Sequence, residues 1–129
     1  ASEKLNDPLF AAKLAKLEVD LMALEYAVLR VLHADGGAQD AVASVLKLRG
    51  AELRQRVAEL GVDALGVIGL AVNPDPTGHD ATDHPAPRPP APDYATGWLA
   101  RAMFRRATTI YGGSNEIQRN IIAKAVLSL

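Results

Sequence analysis

Ile110-Tyr111-Gly112-Gly113-Ser114-Asn115-Glu116-Ile117-Gln118-Arg119-Asn120-Ile121-Ile122-Ala123, near the C-terminus, is the stretch whose reading decides the fold. Two adjacent glycines permit positive φ or a close backbone approach, so the chain can turn sharply here. Ser114 supplies a hydroxyl N-cap, and the apolar periodicity after it predicts a helix from Asn115 to about Leu127. Glu116 falls in the first turn, where the helix dipole favours a negative charge. Such a turn offers backbone N–H groups at the positive end of a helix, a seat for a phosphate or carbonyl oxygen. A plain helix–turn–helix junction is spelled the same way, and the local pattern leaves both readings open.

Working outward, Gly97-Trp98-Leu99 leads into a third helix that carries Leu99, Ala102, Met103, Phe104, Ala107 and Ile110. Between Asn73 and Asp93 lie seven of the chain's eight prolines, with Thr, Asp, His and Gly. That composition can neither continue a helix nor bury a core, and it predicts an extended loop over about 73–93. A second helix is expected from near Ala38 to Leu60 or beyond. Val42, Val45, Leu46, Leu53, Val57 and Leu60 point inward, and Glu52 precedes Arg56 on a solvated face. Gly50 interrupts this helix at about 1 kcal/mol relative to alanine, which points to a close helix–helix approach. After Gly61, the run Val62, Ala64, Leu65, Val67, Ile68 and Leu70 fits a buried strand or a continued helix by pattern alone.

The first helix starts at Asp7-Pro8, with Asp7 as cap and Pro8 where its missing N–H costs nothing, and runs to about Ala34 before Gly36-Gly37. Its main apolar stripe is Leu14, Leu17, Leu21, Leu24, Val28 and Val31; a second, Val19, Met22, Tyr26 and Leu29, shares another face. A helix with two apolar faces is expected to be covered on both, by a further part of the chain or by another subunit. His33, near its end, suits the negative end of the dipole. Four helical segments, no convincing strand and no internal repeat predict an all-α fold, an up-and-down helical bundle forming one domain over residues 1–129.

A chain of 129 residues buries roughly two-thirds of its unfolded surface, enough for one core. Fourteen basic against fifteen acidic residues leave a formal charge of −1, so no global field favours nucleic acid or an anionic membrane. The absence of cysteine excludes disulfides, thiolate metal sites and a cysteine nucleophile. The longest apolar run, Gly66 to Val72, is far short of the roughly twenty residues that span a bilayer, and no leader pattern opens the chain. A cytoplasmic protein without a membrane span is expected. The opening residue is Ala1, as in a piece of a longer polypeptide. His79, Asp80, Asp83 and His84 are metal-ligand types in a Pro-rich loop without a scaffold, and no metal site is expected. Ser44, Ser114 and Ser128 lack a nucleophile-elbow pattern.

Tyr111 to Gln118 closely resembles the C-terminal signature of the acyl-CoA dehydrogenases: an aromatic, an acid or glycine, a glycine, Thr or Ser, then polar-polar-Ile-Gln opening the last helix. The resemblance extends more loosely back through the two long helices, covering about the last third of a typical family member. It implies helix followed by a turn for the run after Gly61. It also implies an FAD-dependent enzyme that takes an α-proton from an acyl-CoA thioester and a β-hydride to the flavin, giving the 2-enoyl-CoA and passing electrons to an electron-transfer acceptor. In many members the base is a glutamate in the turn. The matching position is Gly112, which cannot take a proton, so no catalytic residue is expected in this chain and the base falls upstream of Ala1.

The resemblance maps the substrate-proximal backbone to Gly113 and flavin contacts to Ser114, Asn115 and Glu116, of which Glu116 suits a ribose hydroxyl better than a phosphate. A further flavin contact comes in the family from a partner subunit, through a Gln-Ile-Phe-Gly-Gly-type run. The corresponding residues are Gly66 to Leu70, where Gly69 alone fits clearly and the glutamine is absent. An Arg-Asp pair common in the third helix is replaced by Met103-Phe104. Arg101, Arg105 and Arg106 form a basic patch that could meet CoA phosphates or lie on a salt-bridged exterior. The resemblance thus implies the C-terminal part of a homo-oligomeric flavoenzyme, inactive alone; the alternative is a free-standing helical oligomerisation module.

Overall fold

The structure, a computed structural model, describes residues 2–33, 39–70, 95 and 97–127. Among these residues five α-helices follow in order: α1 (Ser2–Leu5), α2 (Pro8–Leu32), α3 (Gln39–Leu65), α4 (Trp98–Arg105) and α5 (Asn115–Leu127). The one-turn α1 was not expected. Among the described residues there is no strand, and the fold is all-α as read from the sequence. The ambiguous run after Gly61 ends α3 and then tightens into a 3₁₀ turn, Gly66–Leu70. The diglycine Gly36-Gly37, the helix start at Ala38, the Pro-rich loop, its His and Asp cluster, and Ser128 lie outside the described residues.

The third helix departs from expectation by changing to 3₁₀ over Arg106–Thr109 instead of continuing to Ile110. Two threonines give a physical reason. Thr108 Oγ1 donates to the Arg105 carbonyl at 2.6 Å and Thr109 Oγ1 to the Arg106 carbonyl at 3.0 Å. Both bonds reach back three residues and compete with the α-helical ladder. At the other end of the chain, Asp7 caps α2 as expected, its carboxylate accepting from the Leu9 N–H at 3.0 Å ahead of Pro8. The His33 ring donates from Nδ1 to the Leu29 carbonyl at 2.8 Å, closing the last turn.

Helix α3 is the centre of the molecule, and α2, α4 and α5 each pack chiefly against it. Lys13 meets Asp63 and Arg56 meets Asp20, so α2 runs antiparallel to α3. Gln55 reaches Arg105 and Gly61 faces Trp98, so α4 is also antiparallel to it, while α5 returns parallel, with Lys47 at Gly113 and Arg119 beside Glu52. This is the up-and-down order.

The inward face of α3 differs from the one drawn from its large residues. Leu53 is buried as expected, but Val45 and Val57 are exposed, and Ala41, Ser44, Ala51 and Ala58 are buried in their place. Ala51 and Gln55 meet the α4 side through Thr108, Arg105 and Arg106, and Ala41, Ser44, Leu48 and Ala58 continue the same helical row. Small side chains let α4 and α5 come close, so burial falls on alanine and serine. Gly50 is not the close approach: a Cβ there would lie 3.9 Å from Leu24, an ordinary contact. Gly61 is, since a Cβ would fall 2.3 Å from the Trp98 ring.

On α2, Leu14, Leu17, Leu24 and Val31 turn toward α3, but Leu21 and Val28 of the expected stripe are exposed. Asp20 and Ala27 take the inward slots instead, because Arg56 on α3 draws the Asp20 carboxylate in and holds it below the usual carboxylate range. The second stripe stands in the open, with Val19 64%, Met22 55%, Tyr26 64% and Leu29 45% exposed. Among the described residues no large side chain is completely enclosed. No described helix is long and apolar enough to cross a membrane.

Candidate functional site

The glycine turn forms where the 3₁₀ end of the α4 segment meets α5. The Ile110 and Tyr111 N–H groups both donate to the Ala107 carbonyl at 3.0 Å, closing the preceding helix. Gly112 and Gly113 then take φ of 68° and 88°, the left-handed region that glycine alone enters freely. The Ser114 carbonyl accepts the first helical bond of α5, from Gln118 N at 3.0 Å, and its hydroxyl lies 3.5 Å from the Ile117 N–H, a long capping contact. Among the described residues, the N–H groups of Gly112, Gly113 and Ser114 have no acceptor.

Two side chains that the sequence did not mark hold this turn. Lys47, from the first half of α3, donates through Nζ to the Gly113 carbonyl at 2.5 Å. Gln118 reaches back one turn to the Gly112 carbonyl at 3.4 Å, and its Nε2 lies where a Gly113 Cβ would come within 2.5 Å. Lys47, Thr108 and Tyr111 line an open cleft of about 250 Å³ beside the turn. Lys47 is 66 residues from its partner and carries a charge ordinarily read as solvated, so no single-sequence signal could have found it. Gln118 lies inside the signature, yet its carbonyl partner follows only from the left-handed turn.

Glu116 occupies the anion seat that the sequence suggested. Its carboxyl is held below the usual range because it accepts first from its own backbone N–H and then from the Ser114 hydroxyl, with Arg119 and Lys47 adding attraction. With a carboxylate already on the helix N-terminus, a phosphate would meet like charge, whereas a sugar hydroxyl could donate to it. Asn115, only 7% exposed, has its Oδ1 buried and, among the described residues, without a partner, an acceptor that would take a hydrogen-bond donor. The donor–acceptor set at Ser114, Asn115 and Glu116 therefore fits the hydroxyl-bearing portion of a nucleotide better than its phosphates.

Gly69 is not brought to the turn. It is buried in the 3₁₀ segment, where a Cβ would fall 2.5 Å from the Val62 carbonyl oxygen and 2.9 Å from the Leu65 Cβ. Val62 lies about 22 Å along α3 from Lys47 at 1.5 Å rise per residue, so within one chain Gly69 and the turn occupy opposite ends. The basic patch is divided. Arg106 pairs with Glu59 at 2.6 Å, a salt-bridged exterior residue, and Arg101 lies over the Trp98 ring at 5.9 Å. Among the described residues no group of His, Asp and Glu is placed to hold a metal.

These features meet in a described family. The pattern of the acyl-CoA dehydrogenase C-terminal domain matches residues 3–127. The chain belongs to this acyl-CoA dehydrogenase family. It is similar to the acyl-CoA dehydrogenase IpdE1 of Mycobacterium tuberculosis, 33% identical over 124 residues, or 96% of this chain and 28% of that protein. The acyl-CoA dehydrogenase IpdE1 of Mycolicibacterium smegmatis is 32% identical over 124 residues, or 96% of this chain and 26% of that protein. The chain thus spans about a quarter of the length of these curated relatives. No solved structure gives a significant match.

Proposed function

We propose that this chain serves as the C-terminal helical part of an FAD-dependent acyl-CoA dehydrogenase, where it helps to form the flavin and substrate pocket and the oligomer interface. The observation that carries this reading is the turn itself. Two left-handed glycines, clamped by Lys47 and Gln118, expose successive N–H groups at the start of α5 in a chain of this family.

In the intact protein Gly113 lies nearest the acyl thioester, and its N–H, unpaired among the described residues, suits a carbonyl oxygen. Ser114, Asn115 and Glu116 hold hydroxyl groups of the cofactor, with Glu116 accepting and Lys47 fixing the backbone behind them. Gly69, at the far end of α3, serves a neighbouring subunit. FAD held there by Ser114, Asn115 and Glu116 would supply the acceptor for the hydride of the β-carbon. Gly112 has no group to receive the α-proton, so the base comes from outside this chain, and an electron-transfer acceptor completes the cycle.

The exposed second stripe of α2 also suits a free-standing oligomerisation module, and turnover separates the two readings. The full-length gene product is expected to convert an acyl-CoA to the 2-enoyl-CoA, while the 129-residue chain converts none. Ser114→Ala and Glu116→Gln in the full-length protein should lower its flavin content. A full-length product that oxidises no acyl-CoA of any chain length contradicts the enzyme reading.

A further inference from the structure

Eight arginines lie among the described residues. Arg49, Arg56, Arg106 and Arg119 each reach a carboxylate within 4 Å. Arg30, Arg54, Arg101 and Arg105 have no acid partner among the described residues. Three of these four line one cleft of about 460 Å³ where α4 packs beside α2 and α3. Its walls include Leu21, Leu24, Val57 and Trp98, and Leu21 and Val57 are half-exposed. Three arginines thus border one apolar hollow with no carboxylate in its lining, and the Trp98 ring partly offsets the charge of Arg101 alone.

We propose that this cleft binds a single-chain amphiphile with a phosphate head, its alkyl chain on Leu21, Leu24, Val57 and Trp98 and its phosphate among Arg54, Arg101 and Arg105. The planar fork of arginine matches phosphate oxygens in pairs. A phosphate dianion balances three positive charges better than a single carboxylate does. The apolar wall supplies the second half of the recognition, since Leu21 and Val57 would leave water on binding. The volume falls within the roughly 300–1,000 Å³ of ligand pockets. None of this depends on the flavin reading of the glycine turn.

Trp98 is the chain's single tryptophan, so its fluorescence reports this cleft directly. Dodecyl phosphate, titrated into the full chain below its micelle concentration, should produce a saturable one-to-one change. Dodecyltrimethylammonium, with the same alkyl chain and opposite head charge, should produce none, and inorganic phosphate should compete only weakly. Arg54→Gln, Arg101→Gln and Arg105→Gln should each weaken binding by about fivefold and together abolish it, while Arg30→Gln, outside the cleft, leaves it unchanged. Calorimetry supplies the same constant for Arg101→Gln, where the emission itself shifts, and circular dichroism checks that each variant keeps its helices. No saturable change, an equal response to the cationic amphiphile, or undiminished binding by the triple variant would overturn the proposal.

Discussion

Gly113 is restricted twice over, by a φ of 88° and by Gln118 Nε2, which stands 2.5 Å from where a Cβ would be. Gly112 shares the left-handed backbone, at 68°, but a Cβ there meets nothing within 4 Å. Gly113→Ala should therefore destabilise the chain by about 1–3 kcal/mol in urea unfolding. Gly112→Ala should lose nearer to about 1 kcal/mol. Equal losses would mean that Gln118 moves aside freely and does not clamp the turn. Glu116 gives a second test, through pH. Its folded-state ionisation is depressed below the ordinary 4.5 by its own N–H and the Ser114 hydroxyl. A depressed acid adds stability that is fully present above the unfolded value and is lost as pH falls through the folded one. The first turn of α5 should accordingly loosen on acidification below the usual glutamate range, and Glu116→Gln should remove that dependence. A carboxyl that titrates by NMR at or above the ordinary value would contradict the arrangement.

At the scale of elements, α3 is the axis on which the other helices are placed, and two of its glycines make opposite predictions. Gly61→Ala drives a methyl group into the Trp98 ring and should destabilise by about 1–3 kcal/mol. Gly50→Ala meets only an ordinary contact with Leu24 and should stabilise by up to about 1 kcal/mol through helix propensity. Urea midpoints that move in the same direction for both would show that the α3–α4 approach is looser than described. Helix existence and type were legible because caps such as Asp7-Pro8 and Ser114 act locally. The facing of α3 was legible only in part: Leu53 is buried as its spacing predicts, but large apolar residues dominate a periodicity reading while most of the buried positions are alanine and serine. Between Asp20 and Leu21 the apolar pattern chose the leucine, and a charge on another helix, Arg56, decided for the aspartate. The glycine turn was visible in its spelling. Lys47, which holds it, was not, because the bond spans 66 residues.

At the scale of the whole molecule, the telling feature is how little is enclosed among the described residues. Their most buried apolar members are four alanines with Phe10 and Leu53, while one face of α2 presents Val19, Met22, Tyr26 and Leu29 to the outside. Such a face is a surface in this chain, and in the proposed assembly it would be a contact. Met22→Glu and Tyr26→Glu should each change the unfolding free energy of this chain by less than about 0.5 kcal/mol, yet lower the assembly state of the full-length protein in sedimentation. Unaltered assembly would place the oligomer interface elsewhere. The measurement that bears most directly on the flavoenzyme reading is the flavin content of the full-length gene product, purified beside this chain. A yellow full-length protein with about one flavin per subunit, beside a colourless chain, is the expected result. A colourless full-length protein, or a chain that holds stoichiometric flavin alone, would contradict it.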